Sequence, residues 1–149
     1  MRVTIGRADS VTLAAQREAI RCARLGPLLR RCGDALRVGS RANLAVRLTD
    51  DTELTELSAR FLGVAAPTDV LAFPSDERDR VGDIAISVER ALAQGNGDGP
   101  AELRLLVVHG LLHCLGHDHA GAAEAAAMTA ATRRLLPHQT VAALVPANG

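Results

Sequence analysis

A chain of 149 residues, 48% of them apolar, can bury the core of one domain and needs no disulfide scaffold to do so. It carries two Phe and neither Trp nor Tyr, which argues against a nucleic-acid surface built on rows of stacking rings. The net charge is zero but unevenly placed: residues 1–49 hold ten arginines against three acids, residues 50–102 hold twelve acids against four arginines, and lysine is absent.

The cysteines, Cys22, Cys32 and Cys114, are odd in number and unpaired in spacing, which points to a reducing compartment. The start, MRVTIGRADS, has no long apolar stretch, and no run reaches the roughly 20 apolar residues that cross a bilayer. The expectation is a cytoplasmic chain with no membrane partner.

In chain order, Val3 and Ile5 alternate with polar residues and predict a first strand. Ser10 or Thr12 is the expected cap of a helix running to about Arg31, with an imperfect apolar face (Val11, Leu13, Ile20, Leu25, Leu28) and a kink or break at Pro27. Arg17, Arg21 and Arg24 fall at i, i+4 and i+7 of that helix, an arginine stripe that could grip a phosphate backbone or simply face solvent. NLAVRLT (43–49) alternates at period two and predicts a second strand. Asp50 or Asp51 then caps a helix of about ten residues ending near Gly63.

DVLAF (69–73) predicts a third strand ended by Pro74, and VGDIAISV (81–88) a fourth. A short helix over 89–94 stops at the turn cluster Gly95-Asn96-Gly97. Pro100 sits in the first turn of an apolar helix that runs to Leu115 and stops at Gly116. An Ala-rich helix spans about 121–136, Pro137 ends it, and the tail after Val145 reads as loose. About four strands and five helices in mixed order predict one α/β or α+β domain over residues 1–149, a small mixed sheet packed with helices.

The chemistry concentrates in HGLLHCLGHDH (109–119), which holds four of the five histidines. Positions four apart on a helix differ by about 40° in azimuth and about 6 Å along the axis, so His109 and His113 project from one face. Gly116 can take the left-handed conformation that closes the helix and returns His119 to the same point. Three imidazoles leave a fourth position of a tetrahedral zinc open for water, as hydrolytic zinc requires; nickel, cobalt or copper would also accept this set. Asp118 either orients a ligand imidazole or caps the turn, with His117 beside it, and Cys114 points about 100° away as a small core residue. His138, alone after Pro137, is read as a core histidine. The spacing matches zinc proteases of the HExxHxxGxxH type except that Gly110 stands where their Glu base would be, which opposes peptide hydrolysis.

HGLLHCLGHDH resembles the HGxLHLxGYDH signature of the YbeY family of bacterial ribosomal RNA maturation factors. PTDVLAFP (67–74) and GDIAIS (82–87) resemble the family's PTDVLSFP and GDIxIs blocks, in the same order, so the likeness covers about residues 43–136. The resemblance implies a zincin-like metal-site helix, one zinc ion per chain held by His109, His113 and His119, and a single-strand-specific endoribonuclease acting in 16S ribosomal RNA 3′-end maturation and ribosome quality control. It also implies contact with ribosomal RNA and the small ribosomal subunit; no DNA is expected. The sequence departs from the pattern at His117 (family Tyr), Ala72 (family Ser) and Leu62, where the family carries an arginine before Gly63. Arg60, two residues earlier, is the nearest candidate to stabilise phosphoryl charge. A non-catalytic RNA- or ribosome-binding module with structural zinc and a zincin-type peptidase are the alternatives.

Overall fold

A computed structural model describes residues 1–147. Among these residues the order is β1 (Arg2–Arg7), α1 (Ala14–Ala23), α2 (Leu25–Ala35), β2 (Asn43–Thr49), α3 (Asp51–Leu62), β3 (Val70–Pro74), β4 (Arg80–Ser87), α4 (Val88–Gln94), α5 (Gly99–Cys114) and α6 (Ala122–Leu135). The four strands form one mixed sheet in the order β1-β2-β4-β3. β2 is parallel to both β1 and β4, and β3 is antiparallel to β4. The α/β expectation holds, with six helices rather than five.

Alternation along the strands sorts the core. Leu44, Val46 and Leu48 of β2 and Ile84 and Ile86 of β4 point to one face, where they pack with Leu28 and Leu29 of α2, Leu103, Val107 and Leu111 of α5 and Met128 of α6. Ala85 points to the other face and meets Leu54 of α3 and Leu71 of β3. α5 is apolar on nearly all sides because it is the central helix, covered by the sheet and by α1, α2 and α6.

The predicted single helix up to Arg31 is instead two. The break falls at Arg24, in the left-handed conformation (φ 50°), not at Pro27. Pro27 is the third residue of α2, within the first turn, where no intrahelical partner is lost with its missing N–H. Leu13, expected on the buried face, is 63% exposed, while Val11 enters the core from the preceding loop. β1 is an edge strand, so Ile5 stays 39% exposed despite its alternating pattern.

The segment that leads into the tail is anchored on α6. The Arg133 guanidinium donates twice to the Val141 carbonyl (3.1 and 2.9 Å), and the Leu144 N–H donates to Thr129 Oγ1 at 3.0 Å. The Ala147 N–H reaches the His119 carbonyl at 2.8 Å. Of the segment expected to be loose, positions 148 and 149 lie outside the described residues.

Candidate metal centre

α5 delivers the first two histidines. The His109 and His113 Nε2 atoms lie 3.1 Å apart, with ring centroids at 4.6 Å. The helix then closes in a Schellman arrangement: the Gly116 N–H donates to His113 O (3.0 Å) and the His117 N–H to Leu112 O (2.9 Å), with Gly116 at φ +99°. This reversal brings the His119 ring to 5.6 Å from His109 and 5.4 Å from His113. One nitrogen from each ring lies within 4.8 Å of the other two. Ligands at about 2.0–2.1 Å from one tetrahedral ion stand roughly 3.3 Å apart, so small ring rotations bring the set onto a common cation.

Burial also favours the neutral form of the two donors on α5. Burial pushes the His109 imidazole down to about 4, helped by His113 and His119 and opposed by Asp69. Burial lowers His113 as well, against a hydrogen bond with the His117 backbone that favours its charged form. Neutral imidazoles with free lone pairs are what a divalent ion needs. His119 Nδ1 is buried with no hydrogen-bond partner, a cost that a metal ion or its bound water would relieve. The residues present therefore fit a metal ion. Among the described residues no fourth His, Cys, Asp or Glu joins the group, and Cys114 packs instead against Gly82 of β4.

The cavity in front of the rings has a volume of about 500 Å³. Its facing wall is the PTDVLAFP block: Thr68, Asp69, Val70, Leu71, Ala72 and Pro74 all line it. Asp69, which sequence reasoning passed over, is the one carboxylate among the lining residues, and it is held by the Gln94 amide at 3.1 Å. Leu144 of the tail completes the wall. Only the membership of Asp69 in that block could have signalled its place.

Other expected residues sit differently. Leu62, at the family's arginine position, lines the cavity; Arg60 does not. It is exposed, with its guanidinium 6.0 Å from the Phe61 ring. Two residues on a helix turn a side chain through about 200°, which accounts for the difference. Asp118 is exposed and accepts the His119 backbone N–H at 2.7 Å, so it fixes the turn rather than an imidazole. His117 acts through its backbone. The stripe Arg17, Arg21 and Arg24 is not continuous: Arg21 is paired with Glu18 (Nε to Oε2, 3.0 Å) and Arg24 lies beyond the end of α1. His138 is exposed, not a core group.

Gly110 has a packing reason. It is buried where α5 crosses β4, and a Cβ there would stand 2.8 Å from Ile84 Cγ2. The side chain of a protease-type Glu has no room at this crossing.

The model of the family described as endoribonuclease YbeY matches residues 14–139. The relative of that name from Chloroflexus aurantiacus is 49% identical over 100 residues, covering 57% of this chain and 65% of its own length. That from Moorella thermoacetica is 38% identical over 128 residues, covering 75% of this chain and 82% of its own. The solution structure of a Thermotoga maritima protein has the same fold, with a TM-score of 0.59 at 25% identity over 91% of this chain and 85% of that one. With most of its length matched by the family model, and the family's two motif blocks facing each other across one cavity, the chain belongs to the YbeY family.

Proposed function

We propose that the chain is a zinc-dependent, single-strand-specific endoribonuclease that acts in 16S ribosomal RNA 3′-end maturation and ribosome quality control. The observation that carries this reading is the convergence of His109, His113 and His119 with no fourth protein ligand among the described residues. His109, His113 and His119 would hold a zinc ion there, whose chemistry would be to acidify a water and polarise a phosphoryl oxygen. The chain's own residues do the rest. His109 and His113, held toward the neutral form by burial, would bind the ion together with His119 without cancelling its charge. Asp69 stands on the opposite wall as a carboxylate able to take up a proton. The name of the relatives points to an RNA substrate, and the small ribosomal subunit and the cytoplasm are the partner and compartment this reading assigns.

The test is metal content and cleavage of single-stranded RNA by untagged protein, wild type against His113→Ala. The expected result is about one equivalent of zinc and cleavage in the wild type, with both lost in the variant. Equal cleavage by the two proteins would overturn the catalytic reading.

A second reading has one specific support. Leu62 puts an apolar side chain where the family carries a guanidinium, so no arginine or lysine lines the cavity among the described residues. On that reading the chain is a ribosome- or RNA-binding module with a structural metal: zinc would be present and His113→Ala would lose it, but neither protein would cleave.

A further inference from the structure

A second polar cleft lies between α2 and the turn that follows α6. It has two adjoining lobes of about 270 and 190 Å³ and shares no lining residue with the histidine cavity. Arg31, Arg104, Arg134 and His138 line it, with Leu28 and Leu135 as its apolar surface. No Asp or Glu lines either lobe. Among the described residues, ion pairs engage Arg21, Arg47, Arg80 and Arg90 and none of the three cleft arginines. Arg104 is held in place by a hydrogen bond from its Nε to Gln139 Oε1 at 3.2 Å, and Gln139 in turn donates to the Ala101 carbonyl at 3.0 Å.

Three guanidinium groups around two adjoining lobes, with no carboxylate among the described lining residues, repel one another and draw in an anion. Helix dipoles do not account for the grouping. They favour Arg134 in the last turn of α6, but Arg104 lies in the N-terminal half of α5, where a cation gains nothing. Guanidinium forks match phosphate oxygens in pairs.

We propose that this cleft binds phosphates of the RNA strand, a second anchoring point apart from the histidine cavity. The assignment rests on the reading of the chain as an RNA-acting protein. It moves the basic contact from the expected α1 stripe to α2, α5 and α6. Arg104 and His109 are five residues apart on α5, about 140° around the helix, so the two sites face different ways.

The test uses full-length, zinc-loaded protein and a fluorescent single-stranded RNA of about fifteen nucleotides, with the dissociation constant followed across salt concentration. Neutralising two contacts in the double variant Arg31→Gln/Arg134→Gln should reduce the log–log salt slope by about 1.4, at roughly 0.7 per phosphate contact on a single strand. Arg31→Lys/Arg134→Lys should keep the slope, and Arg17→Gln/Arg21→Gln should leave it nearly unchanged. An unchanged slope in the Gln double variant would overturn the proposal. So would a variant that loses affinity for inorganic phosphate alone while binding RNA as the wild type does, since the cleft would then serve a free anion. Loss of cleavage alone bears on the catalytic reading and not on the cleft.

Discussion

At Gly110 a single absent side chain serves two ends. Its Cα is buried against β4, and the nearest Ile84 atoms would lie 2.8 to 3.1 Å from an added Cβ. Gly110→Ala must therefore push α5 or Ile84 aside. Overpacking of this kind costs about 1–3 kcal/mol, and the displacement also shifts His109 and His113, which flank the position. Chemical denaturation should show the midpoint falling with no change in slope, and metal affinity should fall with it; a variant as stable as the wild type would refute the packing account. The spacing of the histidines is what made the site legible in the sequence, because helix geometry and one turn glycine fix where three rings go. Arg60 and Asp118 were not legible in the same way. Whether a helix-end arginine faces a cavity depends on a rotation of about 200° over two residues, and whether an Asp orients a ring or bonds the adjacent N–H depends on backbone angles that residue type does not dictate.

At the level of elements, strong local signals carried over and weak ones did not. α3 begins where its cap predicts: Asp50 takes extended backbone angles (φ −127°, ψ 173°) and accepts the Glu53 N–H at 2.8 Å. The same carboxyl is held below the usual range by hydrogen bonds from Ser10 and the Glu53 backbone. Asp50→Ala should cost about 1 kcal/mol of global stability, with Asp50→Ser recovering most of it, as measured by denaturant midpoints. Loss in both variants alike would show that something other than the cap is at stake. By contrast, the break between α1 and α2 rests on Arg24 in a left-handed conformation, a non-glycine residue that nothing in its neighbourhood flags. Pro27 drew attention as a breaker, yet a first-turn proline is harmless. The order of the segment around Val141 and Leu144 comes from Arg133 and Thr129 on α6, contacts made across the fold and not along the chain.

For the molecule as a whole, the histidine group links protons to folding, and a metal ion bound there would join the same linkage. In metal-free protein His109 is pushed down to about 4 by burial, against an ordinary value of 6.5, and His113 is lowered too. Between those pH values the unfolded chain takes up protons that the folded chain refuses. Stability is therefore complete above pH 6.5 and is lost as pH falls through 6.5 toward about 4. The lowered carboxylates Asp50, Asp51 and Glu53 lose their contributions only at more acid pH, and Glu102, raised by burial, acts in the opposite sense near the lower end. Thermal unfolding of chelator-treated protein should thus show the melting temperature declining from pH 7 to pH 4.5. His109→Gln, which cannot titrate, should have a flatter profile. Adding zinc at pH 7 should raise the wild-type midpoint, by about 2.7 kcal/mol of linkage at a hundred times the dissociation constant. The increment should shrink toward pH 4, where protons compete for the same three nitrogens. A zinc increment that stays constant across this range would mean that the ion binds elsewhere, and that the buried rings are neutral for packing alone.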